Sequence, residues 1–128
     1  MAVDFRITKI DTQVKCTGAF PEKPKNDRYV RVYFEVESYP ELKENEDFSI
    51  SEHDFVAFDK EGVRINNPQG NGYTCLSESD MLPISIGPAE KVIGSIVLDL
   101  PKGAAVIVLT NLLTSNGWEW SLTSSDEV

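Results

Sequence analysis

Gly87–Gly103, GPAEKVIGSIVLDLPKG, carries the punctuation and the apolar run from which the rest of the chain can be placed. Gly87-Pro88 is a turn dipeptide. After it Val92, Gly94, Ile96 and Leu98 alternate with Ile93, Ser95, Val97 and Asp99. That is the two-residue period of a strand, whose successive side chains face opposite ways. Pro101 has no N–H to give to a ladder, so the strand ends there, and Gly94 inside it marks a close backbone approach or a bulge. A nucleotide cradle is a competing reading of such glycines. The G-x-G-x-x-G loop needs a strand before it and a helix after it, and the Walker loop must end in Lys-Ser/Thr. Neither condition holds here or in GNGYTC (70–75), so the stretch reads as sheet scaffold.

Working outward, Ala104 to Thr110 is apolar on both faces, as expected of a strand buried on both sides. Gly117 opens a last strand with Trp118, Trp120 and Leu122 on one face, and residues 123–128 form a polar tail. Upstream, DFVAFD (54–59) and Val63–Ile65 flank Asp59-Lys60-Glu61-Gly62. Asp at the first position and Gly at the fourth suit a type I turn, so this is a hairpin. Tyr29–Glu37 is the clearest strand: Val30, Val32, Phe34 and Val36 face the core, and Arg31, Tyr33, Glu35 and Glu37 face water. Val3 to Cys16 reads as a long first strand, bulged between Ile7 and Ile10 where the apolar register changes. Thr17–Arg28 with Gly18, Pro21 and Pro24 is a loop, Tyr39–Asp47 an acidic loop or a short helical turn, and Asn66–Ile86 an unusually long connection. No segment holds a 3.6-residue period. About seven short strands within residues 3–122 predict an all-β, antiparallel, immunoglobulin-like β-sandwich in a single domain.

The chain has 128 residues, of which 41 % are hydrophobic and 26 % charged, an ordinary globular composition. Its 21 acids against 12 bases leave a net charge of −9, which repels a phosphate backbone. The nearest basic cluster, Lys23, Lys25 and Arg28, is interrupted by Glu22 and Asp27, so no nucleic-acid partner is expected. No apolar run is long enough to span a bilayer as a helix. MAVDFRITKI lacks the basic and apolar regions of a signal peptide. Either Met1 is a native start and the chain is cytoplasmic, or it is a mature domain whose signal peptide or lipid anchor lies upstream.

Cys16 and Cys75 have neither CxxC spacing nor companion ligands, which argues against zinc. Two readings of the pair stand: a disulfide, which favours an exported protein, or two unrelated buried thiols.

Placed in order, these pieces resemble a bacterial secreted or lipoprotein immunoglobulin-like domain family of unknown function, one that includes a mycobacterial immunoprotective extracellular antigen. RYVRVYFEVES (28–38) matches its valine-rich strand. DFVAFDKEGVRI (54–65) matches its strand, Asp-x-x-Gly turn and strand. IGPAEKVIGSIVLDLPKG (86–103) matches its Gly-Pro turn, apolar strand and Asp-x-Pro. Ser38 stands where Asn is common in the family, and Leu98 where Phe is common. The resemblance implies an extracytoplasmic sandwich without assigned catalytic residues, and it implies that Cys16 and Cys75 are the family's cysteine pair.

Few residues invite chemistry. His53 is the only histidine; Asp54 beside it would point away on a strand, and Gly94-Ser95 lacks the G-x-S-x-G elbow. Glu35 and Glu119 lie on solvent faces rather than flanking a cleft, as glycoside hydrolysis would need. The acids around Tyr39–Asp54 include Glu44, Glu46, Asp47 and Asp54 as candidate calcium ligands, although their spacing is not that of an EF-hand. Tyr39, Tyr73 and Trp118 are candidate partner-binding aromatics. The long Asn66–Ile86 connection and the acidic loop are the expected functional surfaces. The reading is a non-enzymatic module at or outside a bacterial cell envelope, with a protein-interaction or structural role. It needs no cofactor, takes an unidentified protein partner, and is a monomer or weak dimer. The alternative is a small-ligand or calcium-binding domain using the acidic loops.

Overall fold

A computed structural model describes residues 3–39, 50–83, 85–110 and 117–122, with Val3 and Trp118 described in their backbones only. Seven strands are described: β1 (Val3–Asp11), β2 (Arg28–Ser38), β3 (Phe55–Asp59), β4 (Arg64–Ile65), β5 (Lys91–Leu100), β6 (Ala104–Thr110) and β7 (Gly117–Ser121). They form two antiparallel sheets, β1-β2-β5 and β4-β3-β6-β7. This is the strand distribution of an immunoglobulin sandwich, A-B-E facing C′-C-F-G.

Alternation in β2 does what its sequence requires. Val30, Val32, Phe34 and Val36 are buried between the sheets. The Phe34 ring meets Phe55 of the opposite sheet edge-on, with centroids 6.2 Å apart. Each large side chain fully buried here stabilises the fold by roughly 1.5–3 kcal/mol. The β3–β4 turn is also as expected. Gly62 donates its amide to the Asp59 carbonyl at 3.1 Å, Asp59 Oδ1 accepts the amides of Glu61 and Val63, and Gly62 takes φ +82°.

Two expectations are corrected. The first strand does shift register between Ile7 and Lys9, but it stops at Asp11 rather than running to Cys16. Asp11 Oδ1 accepts the Gln13 amide at 2.9 Å, an Asx turn that takes the chain out of the ladder. Strand β6 is not buried on both sides: Ile107 and Leu109 are buried, Val106 and Val108 only half-buried, and Thr110 exposed. The doubly covered strand is β5, in which every residue from Gly94 to Leu100 is buried. The cause is a second layer on the outer side of the β1-β2-β5 sheet. There Tyr29, Val97, Cys75 and Leu76 form a separate apolar cluster, with Val14, Cys16 and Met81 packed against it. The long connection and the 12–27 link thus lie over one sheet, and the sandwich core lies under it.

Candidate functional site

Four ties of the second layer stand out among the described residues. Cys16 and Cys75, 59 residues apart, form a disulfide. Beside it the amides of Thr17 and Gly18 both donate to the Cys75 carbonyl, at 2.8 and 2.9 Å. Gly18 must be small here, because an added Cβ would stand 2.8 Å from the Thr74 carbonyl oxygen. Further out, Asp80 Oδ2 accepts from the hydroxyls of Thr17 (2.8 Å) and Ser77 (3.0 Å). These bonds hold the Asp80 carboxyl below the ordinary aspartate range, Thr17 contributing most.

The fourth tie is Asp99, wholly buried at the end of β5. Its Oδ2 accepts the backbone amides of Lys25 (2.7 Å) and Asn71 (2.9 Å), and its Oδ1 that of Asn26 (2.9 Å). The Asn26 side chain returns a bond to the Asp99 carbonyl at 2.7 Å, and the Asp99 amide donates to Pro68 at 2.8 Å. A buried carboxylate is costly unless its lone pairs are filled; here both loops converge on it to fill them. Gly70, at φ +43°, lies against the carboxylate, and a Cβ there would come 2.2 Å from Oδ2. Nearby, the Tyr29 hydroxyl donates to the Glu22 carbonyl at 2.5 Å, and burial raises its pKa above the usual tyrosine value.

This bracing holds two aromatic rings in water. Phe20 is 89 % exposed and Tyr73 61 %. Gly18 is bonded to Cys75, and the Glu22 amide to Thr74 Oγ1 at 3.0 Å, so the 18–22 segment that carries Phe20 runs beside the 73–75 segment that carries Tyr73. Tyr73 also lines a cavity of about 320 Å³ between the long connection and the edge of β5 that faces away from β2, with Glu52 in its lining.

The aromatics singled out by sequence lie on separate elements. Tyr73 is on this braced layer. Tyr39 follows the far end of β2, where its hydroxyl donates to Asp4 Oδ2 at 2.8 Å. Trp118 pairs through its backbone with Leu109 in the opposite sheet, and its side chain is outside the described residues. Of the candidate calcium ligands, Glu44, Glu46 and Asp47 are outside the described residues. Asp54 closes a short 3-10 turn, its carboxylate accepting the Ser51 amide at 2.8 Å. Among the described residues no three His, Cys, Asp or Glu side chains gather as a metal set. The ring nitrogens of His53 face Gln69 (3.3 Å) and Glu52 (3.9 Å), and Glu35 pairs with Arg6, whose hydrogen bond lowers its pKa.

Sequence reasoning missed Asp99 and Phe20. The signal for Asp99 was present: a carboxylate in register with Ser95 and Val97 on the face that the long connection had to cover. Phe20 was legible as a lone aromatic in a polar loop, but its exposure was not.

No protein-family model matches the chain, and no curated protein does. Its fold is similar to the crystal structure of MPT63, a secreted protein from Mycobacterium tuberculosis. The identity is 12 %, the alignment covers 92 % of this chain and 82 % of that one, and the TM-score is 0.53. At that identity the likeness is one of fold, and it agrees with the immunoglobulin-like β-sandwich described above.

Proposed function

We propose that residues 3–122 form a single non-enzymatic binding module that works outside the cytoplasm, at or near a bacterial cell envelope, and recognises a protein partner through its braced second layer. The carrying observation is that Phe20 and Tyr73 are exposed on segments tied side by side by hydrogen bonds next to the Cys16–Cys75 disulfide. Exposed aromatics supply most of the energy in many interfaces, and a braced loop loses little entropy on binding. The disulfide supports an oxidising compartment, and the secreted protein of similar fold points the same way. No helix among the described residues is long and apolar enough to cross a membrane.

The test is site-specific photocrosslinking. A benzophenone side chain at Phe20 should capture a protein from the envelope or culture fluid of the source cells. The same group at Lys60, on the β3–β4 turn, should not. Equal yields from both positions, or none from Phe20, would remove this reading.

A further inference from the structure

We infer that the cavity beside Tyr73 receives a basic side chain of the partner, arginine above all, with Glu52 as its counter-ion. This rests on the interaction-module reading and names the chemistry of the residue that the module would hold. The cavity, about 320 Å³, is large enough for one long side chain. Leu76, Met81 and Leu82 form apolar walls, suited to the methylene stem of arginine or lysine, which packs along apolar surface while its head stays polar. Tyr73 is the aromatic residue in the lining, and an aromatic ring attracts a guanidinium placed over its face.

Charge selects the sign of the occupant. Among the described residues, Glu52 is the one charged side chain lining the cavity. It is largely covered, with 27 % of its side chain exposed, and its neighbour at 3.9 Å is His53, which is charged only if protonated. The chain as a whole carries −9, a field that draws cations and repels anions. Gly72 packs against the β5 backbone on the inner side of the cavity, where a Cβ would stand 2.2 Å from the Val97 oxygen. A planar guanidinium can pair with a carboxylate through two N–H donors while its face lies on an aromatic ring, which a single ammonium does less well.

The experiment uses the intact, oxidised protein labelled with ¹⁵N and three acetylated, amidated tripeptides: Leu-Arg-Leu, Leu-Glu-Leu and Leu-norleucine-Leu. The arginine peptide should shift the amides of Gly72, Leu82 and Val97 and bind at least tenfold more tightly than either of the others. Glu52→Gln should weaken the arginine peptide about fivefold, leave the norleucine peptide unchanged and preserve the melting temperature. Equal binding of the arginine and glutamate peptides overturns the assignment, as does a Glu52→Gln variant that binds arginine normally. Absence of shifts at those three amides overturns it too. If Phe20 crosslinks a partner while the peptides fail, the cavity assignment falls and the module reading stands; if both fail, both fall.

Discussion

Asp99 Oδ2 accepts the backbone amide of Asn71 at 2.9 Å, across 28 residues of sequence. With the amides of Lys25 and Asn26 on the same carboxylate, this bond locks both loops of the second layer to the end of β5. Asp99→Ala should therefore destabilise the protein by about 2–4 kcal/mol, since it strands three part-buried donors. Asp99→Asn should cost about 2–3 kcal/mol, because the amide replaces one acceptor oxygen with a donor facing N–H groups. Urea unfolding checks both; a cost below about 1 kcal/mol for Asp99→Ala would refute the role.

Removing the disulfide should act on the unfolded chain and on the braced layer together. For a loop of 59 residues, chain entropy predicts a loss of roughly 4 kcal/mol. The Cys16→Ala/Cys75→Ala variant should melt markedly lower. Its amide exchange should rise first in residues 17–22 and 72–77, while the β2–β5 ladder stays protected. Uniform loss of protection would mean that the disulfide supports the sandwich itself.

Gly94 is required by close approach. A Cβ there would stand 2.6 Å from the Leu82 Cα and 2.7 Å from its nitrogen. These are backbone atoms and cannot swing aside. Gly94→Ala should cost about 1–3 kcal/mol and break the Leu82–Ser95 hydrogen bond (3.0 Å), visible as faster exchange of the Leu82 amide. Unchanged exchange and stability would contradict the packing described.

Asp80 sets a pH dependence. Hydrogen bonds from Thr17 and Ser77 lower its pKa in the folded state. A depressed acid contributes stability that is present above its unfolded pKa, about 4, and is lost as pH falls through the folded value. Asp80→Asn should therefore narrow the stability difference between pH 6 and pH 3, with little change in slope above pH 6. A variant with the same acid limb as the parent would count against the arrangement.

Calcium separates the proposed module from a metal-binding domain. Asp54 already accepts the Ser51 amide in a helical cap. The melting temperature should stay unchanged in millimolar calcium, whereas ligand binding to the native state raises it. A rise of several degrees, removed by chelator, would move function to the acidic loop.

Strand identity and the β3–β4 turn were readable from sequence because they depend on neighbours. Alternation in Tyr29–Glu37 and the Asp59-to-Gly62 spacing act within a few residues, and both appear in the fold as expected. Apolarity on both faces is the only local signal for a doubly buried strand, and it points to Ala104–Thr110. The covering layer falls on β5 instead, and that layer comes from segments remote in sequence.

By itself the sequence determined an all-β sandwich, its hairpin and a cysteine pair able to bond. Tertiary structure alone decided that Cys75 meets Cys16, that Asp99 collects amides from 73 and 74 residues away, and that Phe20 remains in water while Leu76 does not. The reason is physical: strand periodicity is a property of adjacent residues, whereas burial of a charge or exposure of a ring depends on which distant segment covers it. GPAEKVIGSIVLDLPKG is scaffold, as its pattern indicated. The buried carboxylate within it is also the tie that holds the candidate binding surface in place.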